Sequence, residues 1–128
     1  MKIDNLKITP AAYYSNAEKC KFIIMKDNKN KSGIYRWTNR ITGKFYIGSA
    51  VNLTKRLRFY YSSKSIENSL LIKRSYIYTS ILKYGYSKFS LEIIEYCDLD
   101  ILLQREQHYL DTLKPEYNIR KKVGIIMR

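Results

Sequence analysis

Gly33-Ile34-Tyr35-Arg36-Trp37-Thr38 runs into Asn39-Arg40-Ile41-Thr42-Gly43 and then into Lys44-Phe45-Tyr46-Ile47-Gly48. The outer segments are β-branched and aromatic, and the inner one consists of turn formers. Together they read as a β-hairpin with a loop of about five residues. Strand alternation puts Tyr35 and Trp37 on one face with Ile34 opposite, and Tyr46 and Gly48 on one face with Phe45 and Ile47 on the other. The set Ile34, Phe45, Ile47 suits a core, which leaves Tyr35 and Tyr46 looking outward together.

Working outward, Asn52 is a helix N-cap for a segment over 52–61, with Leu53, Leu57, Tyr60 and Tyr61 as its apolar stripe. A second helix is predicted over 75–84, ending at Gly85. Phe89, Leu91 and Ile93 alternate with Ser90 and Glu92 in a third strand over 88–96. A last helix begins at Asp98 or Asp100, runs to about Leu113 and is stopped by Pro115. The order β-β-α-α-β-α predicts an α/β fold, a small three-stranded antiparallel or mixed sheet flanked by helices. Residues 1–32 read as an N-terminal extension, with the polar run 26–31 as a linker. Residues 33–120 form the organised domain and residues 121–128 a basic tail.

The chain has 128 residues, room for one core. Its longest apolar run, Phe22-Ile23-Ile24-Met25, is far below the ~20 residues that cross a bilayer, and no membrane association is expected. The N-terminus shows no secretory core, and its acidic residues do not suit a transit peptide. Cys20 and Cys97 lie far apart and His108 is the single histidine, which excludes zinc-finger spacing, a CxxC redox motif and a disulfide framework. The net charge of +13 points to a polyanion, with nucleic acid first. Phe, Tyr, Met, Ile, Asn and Lys, which have AT-rich codons, make up 61 residues, as in organelle, phage and some parasite genes. That bias also contributes to the thirteen tyrosines, read mostly as core and rim.

Two residues stand out by position. Glu106 lies on the apolar stripe of the last helix, four residues from both Leu102 and Leu110. A carboxylate there is costly unless paired or bound to a cation. It is either a stripe-edge residue bonded to a neighbouring Arg or Tyr, or a metal ligand. Arg56, three after Leu53 and four before Tyr60, is either a snorkelling arginine or a functional one. His108, two residues from Glu106, points off the stripe and reads as a surface residue.

The triplets Gly33-Ile34-Tyr35 and Tyr46-Ile47-Gly48, ten residues apart, resemble the signature of the GIY-YIG nuclease family. The likeness continues through Asn39, Thr42-Gly43-Lys44 and Ser49-Ala50. It extends to Arg56 eight residues after Gly48, Arg105-Glu106-Gln107 and Tyr117-Asn118-Ile119, so it covers about 33–120. Intron-encoded homing endonucleases of organelle and phage genomes are the nearest subgroup. The resemblance implies a metal-dependent DNA endonuclease that hydrolyses phosphodiester bonds, with one Mg2+ (or Mn2+) held by Glu106. It implies Arg56 on the scissile phosphate, Tyr35 as general base with its pKa depressed by cations, Tyr46 orienting water or phosphate, and Asn118 holding the site together. One carboxylate suffices for an ion that keeps several waters. Many members carry His where Tyr60 stands, so a proton shuttle there is in doubt. Arg36, Arg40, Lys44, Lys55, Arg58 and Tyr60 are the candidate DNA contacts; Lys64, Lys73 and Arg74 divide between DNA path and solvated face.

Double-stranded DNA is the expected partner, with a separate DNA-binding region elsewhere in the protein, a monomeric state and a mitochondrial location. Two other functions stand beside this one: a non-catalytic nucleic-acid-binding or splicing-support module on the same fold, and a restriction or repair nuclease of the same family.

Overall fold

The computed structural model describes residues 8–123. Residues 1–7 of the N-terminal extension and 124–128 of the basic tail lie outside the described residues. The elements are β1 (Ala12–Tyr14), α1 (Lys21–Asp27), β2 (Gly33–Asn39), β3 (Phe45–Ala50), α2 (Leu53–Tyr60), α3 (Ser63–Leu70), α4 (Tyr76–Tyr84), β4 (Phe89–Tyr96) and α5 (Leu102–Leu113). Short 3-10 turns cover Tyr86–Lys88 and Leu99–Ile101.

The sheet has four strands rather than three, in the order β1-β4-β2-β3, and every pairing is antiparallel. The additional strand comes from the N-terminal extension, where Ala12–Tyr14 pairs with Leu91 to Ile93 of β4. Three residues are too few for a period of two to be read. The run 26–31 holds the end of α1 and a turn, with Asn30 at φ 60°. Asn28 is fully buried there: its Nδ2 donates to the Ile24 carbonyl at 2.8 Å and its Oδ1 accepts from Tyr96 Oη at 2.7 Å.

The helices start where the sequence supplies caps. The Asn52 side chain accepts from the Lys55 N–H, Ser62 from Ser65 and Ser75 from Tyr78. Gly85, at φ 85°, ends α4 in a conformation that favours glycine. At the start of α5 neither aspartate caps: the N-cap position is Ile101, preceded by the 3-10 turn.

Both faces of the sheet are covered. Ile34, Phe45, Ile47 and Ile94 pack against Leu102, Leu110 and Leu113 of α5, as the alternation predicts. The opposite face, expected to look outward, is covered by α1 to α4. Tyr35 and Trp37 are buried there with Ile24, Leu53, Leu57, Tyr60, Ile66, Ile77 and Ile81. A strand's alternation separates two faces but cannot tell how many are covered.

Candidate active site

Tyr35 is paired across the hairpin with Gly48, and Trp37 with Tyr46. A Cβ on Gly48 would lie 2.5 Å from Tyr35 Cζ and Oη, so the glycine is what lets the Tyr35 ring lie across β3. A Cβ on Gly33 would collide with the Glu95 carbonyl oxygen, so this glycine allows β2 to approach β4. Both glycines of the two triplets therefore have steric reasons.

The free edge of β3 is closed by the segment after α5. Asn118 Nδ2 donates to the Ile47 carbonyl at 2.9 Å, and its Oδ1 accepts from the Ile47 N–H at 2.9 Å. The amide takes the place of a neighbouring strand. The Tyr117 N–H donates to the Phe45 carbonyl at 3.0 Å, and Tyr117 Oη lies 2.8 Å from Ser80 Oγ.

On the other side, α5 is fixed in rotation by Arg105, whose guanidinium makes two bonds to the Glu95 carboxylate of β4 at 2.8 and 2.9 Å. That pairing, opposed by partial burial, holds the Glu95 carboxyl below the usual range. With the helix set this way, Glu106 turns to β3, where Ser49 Oγ donates to its Oε1 at 2.5 Å. Glu106 is buried, so its place on the apolar stripe is real and its charge is hydrogen-bonded.

Between these walls lies a cavity of about 300 Å³ lined by Tyr46, Arg56, Tyr60, Tyr78, Glu106 and Asn118. Arg56 Nη2 donates to Tyr78 Oη at 2.8 Å, and the guanidinium lies 4.8 Å from the Tyr60 ring centroid and 5.3 Å from that of Phe59. Lys73, Arg74, Arg120 and Lys122 complete the cationic lining. A buried carboxylate and a positioned guanidinium share one cavity with further cations: the cations can hold a phosphodiester, and the carboxylate can hold a metal ion.

The tyrosines depart from expectation. Tyr35 is 1% exposed and does not line the cavity; its hydroxyl lies 3.0 Å from Tyr60 Oη. Burial pushes the Tyr35 pKa up, against the opposing pull of Arg56, so the expected depression is absent. Tyr46 is half-buried and faces the cavity, and burial raises its hydroxyl too, with Tyr35 adding to the shift. Both are neutral phenols at physiological pH. Tyr60 is fully enclosed and is raised by the same cause.

Among the candidate DNA contacts, Tyr60 belongs to the cavity wall but is fully buried, and Arg36 is buried, its Nε 2.5 Å from Glu92 across the β2–β4 pair. Neither reaches a duplex outside. Arg40, Lys44, Lys55 and Arg58 are exposed but lie off the cavity, with Arg40 donating to the Ser87 carbonyl. His108 is an exposed surface residue. Tyr78 and Ser49 are the site residues that sequence reasoning missed. Tyr78 lies three residues after a serine cap in an ordinary-looking helix, and Ser49 was a motif residue with no assigned task.

Fold and site define a small α/β domain with a cavity lined by Arg56, Glu106 and further cations. Residues 31–118 match the GIY-YIG catalytic domain, and the chain belongs to that family. The probable intron-encoded endonuclease bI1 of Neurospora crassa is 30% identical over 131 residues, an alignment covering 95% of this chain and 28% of that protein. A mutant of the catalytic domain of intron endonuclease I-TevI superimposes with a TM-score of 0.59 at 28% identity, covering 74% of this chain and 99% of the other. A second structure, the catalytic domain of homing endonuclease I-TevI, gives 0.56 at 29% identity over 70% and 99%. The chain spans about 28% of the length of the curated relative it matches.

Proposed function

We propose that this chain is the catalytic domain of a DNA endonuclease of the intron-encoded homing type, hydrolysing phosphodiester bonds with the help of one divalent ion. The observation that carries the reading is the cavity that brings Arg56 and Glu106 together within a lining of cations. Glu106 is a hard oxygen donor on that lining, and the described residues contain no cluster of three or more His, Cys, Asp and Glu. This donor set suits Mg2+ or Mn2+, which keep most of their waters, and not a metal caged by protein. Bound there, such an ion would polarise a phosphate oxygen and make a water more acidic.

The chain's own residues do the rest. Arg56, backed by Tyr78 and the Tyr60 ring, presents a planar fork to the phosphate and stabilises charge as it develops. Tyr46, kept neutral by burial, donates a hydrogen bond to water or phosphate. Tyr35, expected as the general base, serves instead as a neutral brace behind Tyr46 and Tyr60. Ser49 aims Glu106, and Asn118 fixes the wall that carries Tyr46.

In this reading residues 33–120 carry the chemistry, residues 1–32 are an extension of which residues 8–32 are docked on it, and residues 121–128 are a basic tail. Double-stranded DNA is the substrate, and recognition of a particular site belongs to a further DNA-binding region. The bias toward amino acids that have AT-rich codons, and the intron-encoded relative from Neurospora crassa, support a mitochondrial gene. The test is incubation with supercoiled plasmid in Mg2+ and in EDTA. Nicking or linearisation confined to the Mg2+ arm supports the reading. Binding without cleavage in either arm would make the chain a non-catalytic module on this fold.

A further inference from the structure

The turn after α3 carries two aliphatic side chains turned to solvent: Leu71 is 85% exposed and Ile72 is 87% exposed. The turn is nevertheless ordered by its own backbone. Leu71 N–H donates to the Asn68 carbonyl at 3.2 Å, and the N–H groups of Ile72 and Lys73 both donate to Ser69 at 3.1 Å. Three residues later Ser75 caps α4, its hydroxyl accepting from the Tyr78 N–H at 3.2 Å. The pair is therefore held out on a turn braced at both ends.

Its position gives it meaning. The next two residues, Lys73 and Arg74, are exposed and line the same cavity as Arg56 and Glu106. Consecutive Cα atoms lie ~3.8 Å apart, so Ile72 stands about one base rise from the cavity lining. Other strongly exposed apolar residues, Tyr13 on β1, Phe22 and Ile23 on α1, Ile41 in the hairpin loop and Leu99 before α5, are not next to cavity-lining cations. Aliphatic side chains next to cations are the chemistry of a groove-entering wedge: the cations take phosphates and the side chains separate a pair of stacked bases. A turn ordered in advance loses little freedom when it inserts.

We propose that Leu71 and Ile72 form a wedge that enters the minor groove of duplex DNA beside the catalytic cavity and unstacks one base step. This rests on the reading of the chain as a DNA endonuclease. Because aliphatic groups read no base edge, the wedge selects by deformability and favours pyrimidine–purine steps, which open most easily.

The experiment compares the wild-type chain with the Leu71→Ser/Ile72→Ser variant in EDTA, so that nothing is cut. Short duplexes carry 2-aminopurine at a TA step and a donor–acceptor dye pair at their ends. The wild type is expected to raise 2-aminopurine fluorescence several-fold and to shorten the end-to-end distance. The variant, which keeps its cations, is expected to bind within a few-fold of wild type and produce neither signal, with an unchanged melting temperature. A variant that unstacks and bends DNA as the wild type does would overturn the wedge, as would wild-type binding without distortion. Failure of the wild type to bind any duplex would instead remove the endonuclease reading underneath it.

Discussion

Replacing Gly48 with alanine tests the steric reason for the second triplet. The new Cβ would lie 2.5 Å from Tyr35 Cζ and Oη and 2.9 Å from Cε1. Carbon contacts are comfortable from ~3.5 Å, so the ring must move by about 1 Å. It has no room for that move: Tyr35 is buried, edge-on to Tyr60 at 5.8 Å between centroids, and hydrogen-bonded to it at 3.0 Å. Overpacking of this kind costs ~1–3 kcal/mol and a broken buried hydrogen bond ~1 more, giving about 2–4 kcal/mol. For a domain of this length that is a fall in melting temperature of roughly 10 °C, measured by circular dichroism. Tyr35→Leu removes the atoms that clash, so in its background Gly48→Ala should cost much less, a coupling that a double-mutant cycle reads directly. A Gly48→Ala protein with wild-type stability, or equal costs in both backgrounds, would refute the packing argument.

Asn118→Ala leaves the N–H and carbonyl of Ile47 without their partner, and should cost ~1–3 kcal/mol in chemical denaturation while slowing cleavage. Arg56→Lys keeps the charge but loses the fork and its bond to Tyr78, and should lower the single-turnover rate about 10²-fold with little change in DNA affinity. If affinity falls and the rate does not, Arg56 only anchors the backbone. Burial raises Tyr35, Tyr46 and Tyr60 above the ordinary tyrosine value of 10.0. The folded state therefore favours their neutral forms, a contribution fully present below pH 10 and lost as pH rises beyond it. The melting temperature should fall steeply above pH 10, and less steeply in a Tyr35→Phe/Tyr60→Phe protein.

The hairpin, α2, α4, β4 and α5 were legible because each carries a local signal: turn residues, a capping Asn or Ser, a period of two, or a proline stop. β1 and α3 were not. The first is three residues long, and the second, Ser63–Leu70, is polar with a single buried residue, Ile66. For the site, Glu106 was visible because a carboxylate on an apolar stripe contradicts its neighbours, and Arg56 for the same reason. The fate of Arg36 was hidden, since its partner Glu92 lies on a strand that only the sheet order brings alongside. Tyr60 was read as a stripe residue that also meets DNA, because one helix's stripe does not reveal that Tyr78 of α4 and Tyr35 of β2 close over it. The tyrosine pKa values turn on that same enclosure, which long-range packing determines.

The most direct test of the catalytic assignment is single-turnover cleavage of duplex DNA by Glu106→Gln in Mg2+. The substitution keeps the shape of the side chain and its bond to Ser49 while removing the charge. The prediction is a loss of cleavage by orders of magnitude in a protein that still binds DNA and melts no lower than wild type, because a buried charge has been removed. Cleavage at the wild-type rate would contradict the assignment of Glu106 and, with it, the reading of the cavity as a metal-assisted active site.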